Sequence, residues 1–142
     1  MSTIGHPLSD LANILMPFFS ARTIQGPPET RVPHAHAGFL PGATPGLPTP
    51  SQLAAIYATA AGLGDGSWVE MEQELNWTQA FSTFRLAAIC QGIAARAAVK
   101  QASSAKAEQY AAARAPMAEF AWVLVQEFEE QEAKGRDIKA HI

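Results

Sequence analysis

Cysteine is almost missing from this sequence, which contains only Cys90 in 142 residues. A single cysteine excludes an intramolecular disulfide and any fold that depends on one. Long apolar runs are missing too, because no stretch of 18 residues is apolar enough to span a bilayer. The first residues also lack the basic and apolar stretches of a secretion signal. These absences predict a soluble protein of the cytoplasm or another intracellular compartment.

Charge is also scarce. Charged residues make up 16% of the chain and the net charge is −3, so bulk electrostatics gives no reason to expect binding to nucleic acid. Hydrophobic residues make up 48%, which is typical of a compact globular domain. The charges are unevenly placed: five Lys or Arg and one acid lie in residues 85–114, whereas residues 127–132 include four acids. We expect one domain over residues 1–142, with neither a membrane nor a nucleic-acid partner.

Apolar residues recur at the spacing of three and four residues that marks one face of a helix. The first helix is predicted to begin at Pro7, and Pro17 is expected to end or kink it near Met16. Its apolar face is formed by Leu8, Leu11, Ala12 and Leu15. No segment shows the alternation of a β-strand, so we predict an all-α bundle of about four to five helices.

Residues 20–49 have a different composition. Six of the ten prolines and four glycines lie there, and no helical or strand period is visible. Frequent proline and glycine without helical or strand periodicity predicts a long loop. Loops of this length are uncommon inside compact domains and are usually functional or poorly ordered.

The second helix is predicted to begin at residues 49–52, where Thr49 can cap the helix and Gln52 can bond back to the cap. Gly62 is expected to end it. A second capping box at residues 67–70 begins a third helix, which either runs straight to about Lys100 or breaks near Asn76. One side of that helix carries Trp77, Phe81, Phe84, Ala88 and Gln91.

The last helical region is predicted to begin at Ser103 or Ser104 and to reach Gly135, with Pro116 kinking or splitting it. Its core stripe is Met117, Phe120, Ala121, Leu124 and Phe128, widened by Trp122 and Val125. Residues 135–142 are expected to form a frayed tail.

Two blocks, FRLAAICQGIAARAAVKQASS at residues 84–104 and STIGHPLSDLANIL at residues 2–15, resemble the C-terminal part of the aminoglycoside phosphotransferase and choline kinase-like family. Within that family the chain resembles in particular the kinase-like domains that occur fused to acyl-CoA dehydrogenases. The resemblance extends over residues 2–19, loosely over 49–62, and over 77–128. It implies a break in the third helix near Asn76.

The resemblance also implies a function, that of the helical, acceptor-substrate side of a phosphotransferase. In the family, the nucleotide-binding lobe, the catalytic His-Gly-Asp and a metal-binding Asp lie upstream of the part that Ser2 begins to match. ATP and magnesium are therefore implied only for an intact family member. No catalytic residue, cofactor or metal is expected in this chain, which should be inactive alone. The alternative reading is a self-associating helical interaction module.

Asp10 and Arg85 are candidate site residues, because each lies within or beside the apolar face of its helix. The functional reading is a contact to a substrate or a phosphate. The structural reading is a partly buried ion pair that ties the first helix to the third, since a charge on an apolar face is rarely left unpaired.

The end of the third helix offers a second group of candidates. Arg96, Lys100 and Gln101 resemble the family's ending Ala-Arg-x-x-x-x-Gln-Ala-Ser-Ser, and Arg96 and Lys100, with Gln91, are expected to bind an anionic substrate group. A solvated basic face at a helix C-terminus is the structural alternative. Gly92, next to Gln91, lies in mid-helix, where we expect it to permit close packing of another backbone.

Two further features have weaker chemical readings. His34 and His36 could share a metal ion, but no further ligand stands at a suitable spacing, so no metal site is predicted. Cys90 lies on an apolar helix and is expected to be a small buried hydrophobe.

Aromatic content predicts self-association. Three tryptophans, seven phenylalanines and the nearly apolar segment 120–125 exceed what one layer of helices covers. Such a surface favours a homo-oligomer, most simply a dimer, or packing against an upstream kinase lobe. In a monomer, the loop would have to cover it instead, through Val32, Phe39, Leu40 and Leu47.

Overall fold

The computed structural model describes residues 6–33, 35–62, 68–101 and 104–140. Within these ranges the chain forms four α-helices and no strand, which confirms the all-α expectation. The helices are α1 (Leu8–Arg22), α2 (Pro50–Ala60), α3 (Trp68–Ala98) and α4 (Ala107–Ala140), with two short 3-10 turns at Pro28–Thr30 and Ala37–Phe39. No helix in the described ranges is both long and apolar enough to cross a membrane.

Helix α1 buries the predicted face of Leu8, Leu11, Ala12 and Leu15. The expected end near Met16 is wrong, because α1 continues through Pro17 to Arg22. Proline removes one backbone donor from a helix but does not end it when packing holds the next turn. Phe18 and Phe19, in that turn, are half-buried against the core.

The interior consists of two apolar clusters, one on each side of α3. The first joins α1 to Ala54 of α2 and to Met71 and Leu75 of α3. The second joins α3 to Met117, Phe120 and Leu124 of α4, which confirms the predicted core stripe of α4. Helix α3 therefore lies between α1 and α4.

Helix α3 runs without interruption from Trp68 to Ala98. The break near Asn76 that the resemblance implied is wrong, and the straight alternative is the one observed. Leu75 and Ala80, on either side of that point, are both buried, one in each cluster. Packing on two sides holds the helix straight where a local signal alone allows a break.

Helix α2 begins and ends as its sequence predicts. The hydroxyl of Thr49 accepts from the backbone N–H of Gln52 at 3.2 Å, and the Gln52 side chain accepts from the Thr49 N–H at 2.8 Å. The helix ends at Ala60, just before Gly62, which has the positive φ of a helix-terminating glycine, +70°. The capping box predicted at residues 67–70 lies partly outside the described residues.

The Pro-rich connection between α1 and α2 folds back onto the core. The Thr23 hydroxyl accepts from the Val32 N–H at 3.1 Å, which holds Val32 in the second cluster. Further along, the ring of Phe39 meets that of Phe18 edge to face at 5.1 Å. The connection thus packs on the second cluster through Val32 and on the end of α1 through Phe39.

Helix α4 contains Pro116 and is not split by it. It begins at Ala107, where the Ser104 hydroxyl accepts from the Lys106 N–H at 3.2 Å. It continues beyond Gly135 to Ala140, so the backbone of the expected tail is helical that far. A mid-helix glycine costs only about 1 kcal/mol, which does not by itself end a long helix.

Candidate functional site

The predicted substrate-binding residues lie at the exposed C-terminal end of α3. Gln91, Arg96 and Lys100 are all exposed. The backbone turns there through Lys100, whose φ of +56° is the one positive value at a non-glycine residue in the described chain. Its N–H donates to the Ala97 carbonyl at 3.0 Å, and the Gln101 N–H donates to the Arg96 carbonyl at 2.8 Å. This pair of bonds is a helix-ending motif whose left-handed position is usually glycine.

Gly92 does not permit close packing, so that expectation is wrong. A Cβ added at Gly92 would have one neighbour within 4 Å outside its own helix backbone, the Arg96 Nη1 at 4.0 Å. No other backbone comes close in the described part of the chain. The missing side chain instead leaves open space beside the guanidinium of Arg96.

Asp10 and Arg85 are not brought together as a buried pair. Both are exposed, and the described residues contain no ion pair between them. Arg85 does reach α1, but its Nη2 donates to the Oδ1 of Asn13 at 3.0 Å. Asn13 lies three residues after Asp10, one turn along the same side of α1. The two helices are therefore linked by a solvent-exposed hydrogen bond from Arg85 to a neutral residue, and not by a buried ion pair.

The histidine pair falls partly outside the described residues, since His34 is not among them. His36 Nδ1 accepts from the Gly38 N–H at 3.0 Å, which caps a 3-10 turn. Among the described residues, no group of three His, Cys, Asp or Glu is placed to hold a metal ion.

Cys90 is buried, as expected, with 1% of its surface exposed. Burial raises the pKa of its thiol, because a thiolate would lose its hydration. The thiol is therefore neutral at neutral pH and is a poor nucleophile there.

The most distinctive surface is an apolar groove between α3 and α4, which we call the aromatic groove. It has a volume of about 360 Å³ and is lined by Trp77, Ala80, Phe81, Phe84, Ala118, Ala121, Trp122 and Val125. Four of these are large and outward-facing: Trp77 is 49% exposed, Phe81 61%, Phe84 60% and Trp122 56%. Isolated exposed apolar residues need no explanation, but a contiguous aromatic set makes this groove a candidate binding surface.

The sequence placed Trp77, Phe81 and Phe84 on one side of α3 correctly, but their exposure is unexpected. That side faces outward, because the residues turned toward α1 and α4 include the polar Gln79, Ser82 and Thr83, all buried. Trp122 was expected to widen the core stripe and instead borders the groove. The local sequence does not show which of these positions are exposed, because both faces of the helix carry side chains large enough to fill a core.

A second cavity lies between α3, α4 and Pro33, with a volume of about 440 Å³. Its apolar lining is Leu86, Cys90, Ala113 and Met117, and its polar lining is Lys106, Gln109 and Tyr110. An apolar cavity with a few polar groups is the usual form of a small-molecule site. None of these polar residues lies in a sequence pattern that predicts a site.

Known proteins that resemble this chain are acyl-CoA dehydrogenase family members. It is 32% identical over 121 residues to "Acyl-CoA dehydrogenase family member 11" of Pongo abelii, a match that covers 84% of this chain and 14% of the relative. The Homo sapiens protein of that name matches with the same identity and coverage. "Acyl-CoA dehydrogenase family member 10" of Mus musculus is 31% identical over 126 residues, which cover 86% of this chain and 10% of the relative.

The chain thus spans 14% or less of the length of these three relatives. No family model matches it, and no solved structure is significantly similar. The expected likeness to proteins linked with acyl-CoA dehydrogenases is confirmed in this form, as similarity to one segment of much longer proteins.

Proposed function

We propose that this chain is the acceptor-substrate side of a kinase-like phosphotransferase, a helical subdomain of a larger protein. The observation that carries the proposal is the similarity over 121 residues to acyl-CoA dehydrogenase family member 11. It is supported by the two sequence blocks at residues 2–15 and 84–104, which resemble the helical part of the aminoglycoside phosphotransferase and choline kinase-like family.

In this proposal Arg96 and Lys100 bind an anionic group of the acceptor, and Gln91 donates a further hydrogen bond. Both cations are exposed, and Arg96 has open space beside it at Gly92. Arginine binds phosphate and carboxylate through a planar fork of donors, and lysine acts as a point charge. The left-handed backbone at Lys100 fits a functional role, since strained residues cluster at binding sites.

Phosphoryl transfer requires positioned metal ions, a cradle for the phosphates and an oriented nucleophile. The resemblance assigns those parts to a lobe that precedes the matched residues in intact family members, where ATP and magnesium would bind. This chain alone is therefore proposed to contact the acceptor without transferring a phosphoryl group. A hydroxyacyl-type acceptor is the class that the dehydrogenase-linked branch implies.

Calorimetry of the chain with a hydroxyacyl-CoA tests the acceptor role. We expect binding that weakens at least about tenfold when Arg96 and Lys100 are both changed to Ala, a loss of about 1.4 kcal/mol. Lys134→Ala is the matched control, because Lys134 is an exposed cation at the other end of the helix pair. Equal binding by all three proteins would contradict the assignment of these residues.

A parallel titration with ATP and magnesium tests whether this chain, proposed to contact the acceptor, also binds nucleotide. We expect no stoichiometric micromolar site and no hydrolysis. A stoichiometric site would show that the chain holds nucleotide by itself, and the proposal would fail.

A second function, a self-associating helical interaction module, is favoured by the aromatic groove. The two functions differ in what they require of the chain: the first needs the cations at the end of α3, and the second needs the aromatic side chains. Variants in each region therefore separate them.

A further inference from the structure

We propose that the aromatic groove is the contact surface of a two-fold dimer of this chain, in which α4 packs antiparallel on α4 and α3 on α3. This inference rests on the second function proposed above, self-association, and does not depend on the acceptor role. It rests on the size of the groove, on the charges at its two ends and on the position of its centre.

The groove is large enough to form the centre of an interface. Its four large aromatic residues are half to three-fifths exposed. An aromatic side chain has about 150–250 Å² of surface to bury, so these four side chains together expose an area on the order of 400 Å². A stable interface buries about 800 Å² on each partner, with an aromatic centre and a polar rim. The groove would supply that centre, and the flanking faces of α3 and α4 the remainder.

The Pro-rich connection, which could have covered this surface in a monomer, does not do so. Val32 packs in the second cluster, and Phe39 packs on Phe18. None of the residues that line the groove belongs to the connection. The groove is therefore open in the described part of the chain.

Helices α3 and α4 run in opposite directions past the groove. At one end of the groove, the ring centre of Trp77 lies 4.9 Å from that of Phe128. At the other end, the lining residues are Phe84 of α3 and Ala118 of α4. The C-terminal half of α4 thus lies beside the N-terminal half of α3.

Charge is divided between the two ends. Glu129 lies four residues after Val125 and Arg114 four residues before Ala118, so both share the groove face of α4. Both are exposed, and neither has an ion-pair partner in the described part of the chain. On α3, Glu74, whose Oε2 lies 3.7 Å from the Nε2 of His6, is at the Glu129 end, and Arg96 is at the Arg114 end. The surface therefore has an acidic end and a basic end.

This division selects one arrangement of two copies. A two-fold axis that crosses the helices at right angles places the basic end of each copy on the acidic end of the other. An axis parallel to the helices would place like charges together, which is unfavourable. Arg114 lies eight residues before Trp122 and Glu129 seven residues after it. An axis that passes beside Trp122 therefore brings Arg114 of each copy opposite Glu129 of the other.

Sedimentation of the full chain at micromolar concentrations tests the proposal. We expect a dimer of the 15.1 kDa chain, and we expect Trp122→Glu and Phe81→Glu each to yield monomers. Ile89→Glu is the matched control on the same helix, since Ile89 is 51% exposed and does not line the groove. It should remain dimeric.

Charge reversal tests the arrangement without altering an aromatic residue. Arg114→Glu and Glu129→Arg should each raise the dimer dissociation constant at least about tenfold by placing like charges opposite each other. The double variant restores opposite charges and should recover the affinity of the original chain. Circular dichroism verifies that each variant is folded.

Two results would overturn the proposal. One is a single 15.1 kDa species for the unaltered chain up to hundreds of micromolar, which would mean that no second copy occupies the groove. The other is a double reversal that dimerises no better than the single ones, which would exclude the antiparallel arrangement.

Discussion

Arg22 and Glu127 join the end of α1 to the middle of α4 across 105 residues of sequence. The Arg22 Nη2 donates to both carboxylate oxygens of Glu127, at 2.7 and 3.0 Å. The same guanidinium lies 5.9 Å from the ring centre of Phe19. This pair links α1 to α4 directly, in addition to the packing of α1 against α3 in the first cluster.

A double-mutant cycle with Arg22→Ala and Glu127→Ala measures that link. Because both side chains remain about half exposed, at 47% and 41%, water screens the pair. We expect a coupling free energy of about 0.5–1 kcal/mol. It should shrink in 1 M salt, where the Debye length is about 3 Å. A coupling that salt leaves unchanged would show that the pair is not screened as its exposure indicates.

Arg85 should couple to Asn13 and not to Asp10. The hydrogen bond to Asn13 is exposed, so we expect a coupling of about 0.5 kcal/mol in thermal unfolding for that pair. The Asp10→Ala and Arg85→Ala cycle should yield a value near zero. The opposite ranking of the two cycles would restore the ion pair that the sequence alone predicted.

Gln79→Met should leave the stability unchanged or raise it by about 1 kcal/mol. Gln79 is fully buried, and its Oε1 has no hydrogen-bond partner among the described residues, which costs on the order of 1–3 kcal/mol. Methionine keeps the length of the side chain and removes the unpaired oxygen. Gln79→Ala is the contrast, since it leaves a cavity and should destabilise the fold. A marked loss with Met would mean that the contact of Nε2 with the Met16 sulfur, at 3.5 Å, outweighs the unpaired oxygen, or that Oε1 binds a buried water.

Lys100→Gly should stabilise the chain by about 0.5–1 kcal/mol. A left-handed non-glycine residue costs about 1–2 kcal/mol, and glycine loses part of that gain through greater freedom in the unfolded chain. Lys100→Ala keeps the strain and is the control. If Lys100 binds an anionic acceptor, the Gly variant should be more stable and yet bind more weakly. Chemical denaturation and calorimetry on the same samples separate the two effects.

Cys90 should resist thiol reagents in the folded chain and react rapidly once the chain is unfolded. Burial raises the pKa of its thiol, so the folded state keeps the proton at pH values where the unfolded thiol ionises. The unfolded chain then holds fewer protons above pH of about 8.5, and the free energy of unfolding should fall as the pH rises beyond that value. Cys90→Ala should lack this component. Rapid labelling in the folded state at pH 7 would contradict the burial.

Local chemistry made α2 and the buried faces of α1 and α4 predictable. The capping box at Thr49 and Gln52 and the stop at Gly62 act within a few residues, so the sequence alone placed α2 correctly. The stripes of α1 and α4 are periodic over several turns, and the buried residues are those the period indicates. The prediction at Pro17 was wrong, because the local sequence shows the cost of one missing hydrogen bond but not the tertiary packing that offsets it.

The site could be predicted only in part. The sequence placed Arg96 and Lys100 toward the end of α3 and Gln91 further back on that helix, and the structure shows all three exposed, while their binding of an anionic group stays a prediction. It could not show that Arg85 meets Asn13, since Asp10 and Asn13 lie one turn apart on the same side of α1 and the spacing of α1 against α3 decides which is within reach. Nor did it single out Lys106, Gln109 and Tyr110, which become neighbours of Leu86 and Cys90 only when α4 folds back on α3.

By itself, the sequence determined that this chain is helical, where α2 begins and ends and which residues form the buried faces of α1 and α4, because these follow from hydrogen bonds and periodicity within a helix. Only the tertiary structure decided which apolar residues remain exposed to solvent. Phe120 and Trp122 belong to the same apolar run, yet Phe120 is buried and Trp122 is 56% exposed. A buried face exists only where a neighbouring helix covers it, and the positions of α1 and α3 leave Trp77, Phe81, Phe84 and Trp122 uncovered together.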